Sequence, residues 1–251
     1  MHILISNDDG IFSPGLRCLA ETIRDAGHKV TVFAPDGQRS AISHAISLMR
    51  PLRMEKVELA EGIDAYAVDG SPADCVRLGV HFLRNDRPDI VLSGINNGSN
   101  RGCAILYSGT VSAAMEGAMN EITSMAVSLC SFADNKYEAA AKIAAESLEW
   151  LKNNPLPRGE IYNLNVPYDI EIKGVKAATI SNEFMYYSEF TQNPDGSYQL
   201  VLDSDSPPET DENSDLRVNE AGYASISVIT WNMLSATPVP SLKGFTPDTE
   251  E

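Results

Sequence analysis

The sequence predicts an α/β protein with a mainly parallel sheet and a β extension at its C-terminal end. Three observations carry this. Apolar runs at 2–6, 29–35, 64–68, 89–93 and 124–130 are separated, except between 35 and 64, by stretches bearing helix start and stop signals, the pattern of βαβ units. The first run, His2 to Ser6, is apolar without alternation, as in a strand buried on both faces, and leads straight into Asp8-Asp9-Gly10. Beyond residue 170 the character changes. Lys173 to Leu202 holds alternating and aromatic stretches around Asn193-Pro-Asp-Gly196, a strong hairpin turn.

Each element follows in turn. Ser13-Pro14 opens and Gly27 closes a helix from Gly15 to Ala26, with Leu16, Leu19, Ala20 and Ile23 on one face. Lys29 to Pro35 completes the first βαβ unit and delivers the loop Pro35 to His44 to the same sheet edge. Ser47 to Ala60 reads as short β structure, a hairpin leaving the main sheet, and Asp64 to Val68 is a strand. Ser71 caps the next helix, with Pro72 at its first position and Asp74 closing a capping box, which gives both polar residues a structural task. Asp89 to Ser93 is a core strand that empties into the loop Gly94 to Gly102, and Ser108-Gly109-Thr110 opens a further helix. Ser124 to Cys130 is a strand, Tyr137 to Asn153 one amphipathic helix with Ala140, Ile143, Ala144, Leu148 and Leu151 inward, and Ile161 to Val166 a strand. Asp203 to Glu220 reads as a solvated acidic loop, Gly222 to Thr230 as a strand, and the segment after Pro238 as a loose tail. The expected division is a core over 1–170 and an extension over 171–251.

Composition narrows the partners. Nineteen basic against thirty-five acidic residues give a net charge of −16 in 251 residues, which works against DNA and other long polyanions. Small phosphate esters are compatible through local attraction. No apolar stretch approaches the ~20 residues of a membrane span, and the first residues form a strand rather than a leader, so a soluble cytoplasmic protein is expected. Cys18, Cys75, Cys103 and Cys130 are scattered without a CxxC pair and read as buried thiols in a reducing compartment.

In open parallel sheets ligands lie beyond the carboxyl ends of the strands, and that is where Asp8 and Asp9 fall. Adjacent carboxylates repel, so the pair calls for a cation, a basic side chain or water; the plain alternative is one helix-capping and one turn aspartate. Ser40 from the second strand's loop and Asn96 from the loop after Ser93 reach the same edge. Carboxylates, a hydroxyl and an amide oxygen suit Mg²⁺ or Mn²⁺, and the lack of a Cys/His cluster argues against zinc. The helix opened by Ser108, Gly109 and Thr110 offers an anion site facing that metal, beside its plainer reading as an ordinary N-cap. Phosphate-ester hydrolysis follows as the reaction class, with Asp8 as metal ligand, Asp9 orienting the attacking water, and His44 as a candidate acid for the leaving oxygen beside its plainer reading as a hydrogen-bonding or solvent-facing loop residue. An aspartyl-phosphate intermediate is disfavoured, since Asp8-Asp9-Gly10 lacks the Asp-x-Asp-x-Thr spacing. His2, His28 and His81 read as structural.

Five blocks then carry a resemblance: ILISNDDG at the start, APDGQRSAISHAIS at 34–47, DGSPADCV at 69–76, SGINNGSNRG at 93–102 and YSGTVSAAMEGA at 107–118. In this order they resemble the SurE family, the survival-protein nucleotidases; Asn163 to Pro167 and Gly222 to Ser227 match weaker blocks. The resemblance implies a Rossmann-like three-layer α/β domain and one divalent metal per subunit held at Asp8, Asp9, Ser40 and Asn96. It implies hydrolysis of nucleoside 5′- or 3′-monophosphates. Taken with the reading of the residues above, Asp8, Asp9 and Asn96 are expected to be catalytic, and Asn96, Ser108, Gly109 and Thr110 to hold the phosphate. The resemblance also implies a homodimer or homotetramer built through the C-terminal extension. Two departures stand out. An Arg-rich run of the family is replaced here by Ile180 to Tyr187, which bears on extended substrates such as polyphosphate, and the acidic residues before the tyrosine of the fifth block are Cys103 and Ala104.

A dinucleotide-binding dehydrogenase needs glycines where this chain has Asp8-Asp9, and the carboxylates would repel a pyrophosphate. A receiver-type signalling domain shares the acidic pair and Mg²⁺ but is about half this length. A degenerate member would bind a nucleotide without turning it over.

Overall fold

The computed structural model describes residues 1–131, 136–168, 170–182, 188–202 and 209–232. The first unit is β1 (His2–Ser6), α1 (Pro14–Asp25) and β2 (Lys29–Pro35), with β1 fully buried and paired in parallel with β2. Next come β3 (Met54–Val57), β4 (Asp64–Val68), α2 (Pro72–Phe82) and β5 (Ile90–Asn97). A 3₁₀ turn over Gly102–Tyr107 leads into α3 (Gly109–Met119) and β6 (Thr123–Cys130). Then follow α4 (Glu138–Glu146), α5 (Leu148–Asn153), β7 (Glu160–Pro167) and β8 (Val175–Ala177). The chain continues through β9 (Ser188–Gln192), β10 (Tyr198–Leu202), α6 (Asp215–Glu220) and β11 (Ala224–Thr230).

Among the described residues one sheet runs in the order β3-β4-β2-β1-β5-β6-β7-β11-β8, and β9 and β10 form a separate antiparallel hairpin. The strands from β4 to β7 are mutually parallel. Residue alternation sends Ile3 and Ile5 into the core beneath α1 and α4, and Leu4 into the core beneath α2 and α3, so helices cover both faces in three layers. From β1 the chain works outward through β2 to β4, then returns to β5 on the other side of β1. That reversal makes β1 and β5 the switch point, where the crevice beyond the strand ends opens.

Four expectations are corrected. The segment from Ser47 does not leave the sheet: β3 pairs antiparallel with β4 as its outermost strand. β5 runs on to Asn97 rather than stopping at Ser93, because Asn96 and Asn97 pair with Ser128 and Leu129 after a bulge beyond Ser93, and that pairing overrides the low strand preference of Gly and Asn. The helix expected over Tyr137–Asn153 is two helices parted at Ser147, whose hydroxyl bonds back to the Ile143 carbonyl at 2.7 Å. The acidic stretch is not a solvated loop in its described part, since 209–220 includes α6 and buries Glu209, Ser214, Asp215 and Asn219. Tyr187 and most of the altered segment before it, along with the tail after Pro238, lie outside the described residues.

Candidate active site

The acidic turn after β1 is shaped by Asn7, not by the aspartates. Asn7 Nδ2 donates to the Gly10 carbonyl at 3.0 Å and to Ser13 Oγ at 2.7 Å, while Gly10 N–H donates back to Asn7 Oδ1 at 3.2 Å. Gly10 holds φ +102°, where a side chain would be strained. Ser13 caps α1. Neither Asp8 nor Asp9 therefore caps a helix or closes the turn, which removes the plain reading of the pair.

Asp8 is buried, and the Thr110 hydroxyl donates to its Oδ1. Burial pushes the Asp8 carboxyl up to about 6, opposed by the Thr110 hydrogen bond and reinforced by the charge of Asp9. Burial also raises Asp9, opposed by the Asn97 N–H, which donates to Asp9 Oδ2 at 3.3 Å. Among the described residues no Lys, Arg or His makes an ion pair with either carboxylate.

Asp8, Ser40, Asn96, Asn97, Asn100 and Ser108 line one cavity of about 140 Å³. Asp9 opens with Asn97 onto a second cavity, about 370 Å³, on the α1 side. Ser40 is exposed and its Oγ accepts from Gln38 at 3.1 Å. Asn96 Nδ2 donates to the Gly98 carbonyl at 2.7 Å, which leaves its oxygen as the other end of the amide. The Ser40 loop is strapped across the helix starts: Arg39 N–H donates to the Asp8 carbonyl at 2.7 Å, Ser43 N–H to the Tyr107 carbonyl at 3.0 Å, and Ser47 N–H to Asp74 at 3.0 Å. The expected capping box of Ser71 and Asp74 is present.

The start of α3 divides its groups. Ser108 Oγ accepts from Val111 N–H at 3.0 Å and so keeps its own proton to donate. Thr110 has committed its proton to Asp8, which makes it an orienting group rather than an anion donor. Gly109 supplies the first N–H of the helix, without an acceptor inside it. A Cβ on Gly109 would stand 2.7 Å from Asp8 Cβ, so only glycine lets α3 meet the acidic turn this closely.

His44 is not part of the cavity lining; its Nε2 stands 4.0 Å from Oε2 of the buried Glu116. His2 is structural, with Nε2 at 2.9 Å from Thr31 Oγ1 and Nδ1 at 3.0 Å from the Asp86 carbonyl. Among the described residues no three His, Cys, Asp or Glu side chains converge, so the donor set is two carboxylates plus neutral oxygens. Asn97 and Asn100 escaped sequence reasoning. The only hint was the asparagine-rich composition of 96–100, which does not say which amides face the cavity.

The chain is also similar to known proteins along most of its length. The model of the family described as survival protein SurE matches residues 3–186. The chain is 42% identical over 237 residues to a protein of Thermoanaerobacter sp. (strain X514) named 5′-nucleotidase SurE, covering 93% of each. It is 42% identical over 250 residues to the protein of that name from Cyanothece sp. (strain PCC 7425 / ATCC 29141), covering 95% of this chain and 90% of the relative. The crystal structure of the SurE protein from Aquifex aeolicus superposes with a TM-score of 0.78 at 33% identity, covering 93% of this chain and 95% of that one. The family model, which matches most of the chain, and relatives 42% identical over nearly its whole length make this chain a member of the survival protein SurE family.

Proposed function

We propose that this protein is a divalent-cation-dependent phosphomonoesterase that hydrolyses nucleoside 5′-monophosphates, and nucleoside 3′-monophosphates as a second class, to nucleoside and phosphate. The observation that carries the reading is the meeting of Asp8, Ser40, Asn96 and the Ser108 start of α3 in one cavity at the sheet's switch point, with Asp9 beside it against Asn97, in a chain whose relatives are named 5′-nucleotidase SurE. A cation fits the residues present. The donors are all oxygens, both carboxylates are raised by burial without a basic partner, and the buried Asn97 Oδ1 has no hydrogen-bond partner.

Asp8, Asp9, Ser40 and Asn96 would hold one Mg²⁺ or Mn²⁺ per subunit. When bound, such a cation polarises the phosphoryl oxygens and lowers the pKa of a coordinated water. The remaining work falls to the chain. Thr110 fixes the orientation of Asp8. Asp9, held by the Asn97 N–H, orients the attacking water. The Gly109 N–H, the Ser108 hydroxyl and the Asn96 amide hold the phosphate. A cavity of about 140 Å³ suits the phosphoryl group and cation, with the nucleoside outside it.

The test is phosphate release from a panel of nucleoside 5′- and 3′-monophosphates with Mg²⁺, Mn²⁺ or chelator, for wild type and Asp9→Asn. Release should require the cation and fall by about 10²- to 10⁴-fold in the variant. Release that survives chelation would remove the cation from the reading. Nucleotide binding without release under any condition would identify a binder that has lost turnover.

The same reading makes the protein a homodimer or homotetramer through its C-terminal extension. Support comes from the β9–β10 hairpin, where Phe190, Tyr198 and Leu200 fall on one face, the first two 67% and 64% exposed. An isolated two-stranded hairpin with an open apolar face calls for a partner. Phe190→Glu with Tyr198→Glu should shift the sedimentation coefficient to that of a smaller species; an unchanged assembly would place the contact elsewhere. We place the protein in the cytoplasm, supported by four cysteines that form no disulfide; no described helix is long and apolar enough to cross a membrane.

A further inference from the structure

Near the site the chain buries a carboxylate that the chemistry above does not use. Asp215, at the start of α6, is 0% exposed and joins three segments. Its Oδ1 accepts from Ser181 N–H at 3.0 Å and Leu216 N–H at 2.8 Å, and its Oδ2 accepts from Gly102 N–H at 3.4 Å. One turn further on, Asn219 Oδ1 accepts from Arg101 Nη1 at 3.3 Å, while its Nδ2 donates to the Asn165 carbonyl at 3.1 Å. Arg101 and Gly102 end the loop that begins at Gly98, and that loop supplies Ser99 and Asn100 to the 140 Å³ cavity. Its front half is held by the sheet: Gly98 N–H donates to the Leu129 carbonyl at 3.1 Å, and Asn100 N–H to Asn165 Oδ1 at 2.8 Å. Its back half is held by α6.

The other side of Asp215 is the root of the extension. Thr179 N–H donates to the Asn213 carbonyl at 3.0 Å and Asp215 N–H to the Thr179 carbonyl at 2.8 Å, so 179–182 and 209–215 lie side by side as a stem. Glu209 clamps it nearer the hairpin by accepting from Asn182 N–H and Asp211 N–H, each at 2.7 Å. One carboxylate thus bridges the stem and the cavity loop.

We propose that Asp215, assisted by Asn219, is a positioning residue for the reaction: it fixes the loop Gly98–Gly102 to the stem of the C-terminal extension and thereby holds the cavity-lining amides in register. This rests on the reading of the cavity as the reactive site. The physical basis is a charged acceptor with 3 backbone amides as donors in a buried place, where removing one oxygen leaves a donor unsatisfied. A displacement of about 1 Å at a reacting centre costs up to about a hundredfold in turnover.

Asp215→Asn keeps the size and one acceptor oxygen. Glu209→Gln is the comparison, since it loosens the same stem without touching the loop. Each is assayed well below its melting temperature with a nucleoside 5′-monophosphate and Mg²⁺. Asp215→Asn should lower kcat by about tenfold or more with KM within about threefold, whereas Glu209→Gln should keep kcat within about twofold. Amide hydrogen exchange of Ser99–Gly102 without substrate should speed up by about tenfold or more in Asp215→Asn alone. Normal kcat and exchange in folded Asp215→Asn, or equal losses in both variants, would overturn the proposal. Should wild type release no phosphate, the nucleotidase reading fails and the exchange comparison decides this one by itself. If Asp215→Asn does not fold, Asn219→Ala, which removes the Arg101 acceptor, carries the same expectations.

Discussion

Asp8→Asn is expected to abolish phosphate release and, in metal-free protein at neutral pH, to raise the melting temperature. The two effects share a cause. Burial, with the charge of Asp9 beside it, lifts the Asp8 carboxyl from 3.8 to about 6 despite the Thr110 hydrogen bond. A carboxyl raised in the folded state binds its proton more tightly there than in the unfolded chain, so ionisation opposes folding. The cost is absent below pH ~4, grows between about 4 and 6, and reaches roughly 3 kcal/mol above that. Asparagine keeps an oxygen for the Thr110 hydroxyl and removes the ionisation, so the variant should melt several degrees above wild type at pH 7.5 in chelator and equal it at pH 4. Saturating Mg²⁺ should reverse the order, because only the carboxylate gains from the cation. Turnover should fall by about 10³-fold or more. Thermal melts at the two pH values, with and without Mg²⁺, alongside phosphate release, check both. Near-normal turnover in the folded, Mg²⁺-saturated variant would sink the assignment of this site, and an unshifted melt would show that ionised Asp8 carries no burial cost.

Much of this arrangement was legible because its signals are local. The apolar run His2–Ser6, the Ser13-Pro14 helix start and the Ser71/Asp74 capping box each depend on residues a few positions apart, and all are present as read. Parallel order then placed Asp8, Asp9, Ser40 and Asn96 at one edge without any knowledge of contacts. Long-range partners were not legible. Asn96 and Asn97 looked like loop residues because their strand pairing is supplied by Ser128 and Leu129, some thirty positions away. Asp215 sat in a run of acids that composition assigns to solvent, yet it is buried because Gly102 and Ser181 bring their amides to it. Thr110 follows the same rule: a hydroxyl at a helix start reads as an anion donor, but here a carboxylate 102 positions earlier accepts its hydrogen bond.

Gly109→Ala is the substitution whose sign tests that contact most directly. At the first position of a helix, with φ outside the left-handed region, alanine should ordinarily stabilise by about 0.4–1 kcal/mol through the unfolded chain. Here the added methyl would sit 2.7 Å from Asp8 Cβ, 3.0 Å from Asp8 Oδ2 and 3.0 Å from Pro72 Cγ. Those atoms are close to the backbone of β1's turn and of α2, so they cannot swing aside as the end of a long side chain would. Relieving the overlap means moving the α3 start away from the acidic turn, at about 1–3 kcal/mol of overpacking, which exceeds the gain. The same movement lengthens the Thr110 to Asp8 hydrogen bond and draws the start of α3, with the cavity-lining Ser108, back from the acidic turn. Stability should therefore fall by about 1–2 kcal/mol and kcat by about a hundredfold, with the loss in kcat exceeding what the unfolded fraction explains. Denaturant melts and phosphate release on the same preparation measure both. An alanine variant that is more stable than wild type and fully active would mean that α3 and the acidic turn do not meet as closely as the structure places them, and the shared cavity of Asp8 and Ser108 would lose its basis.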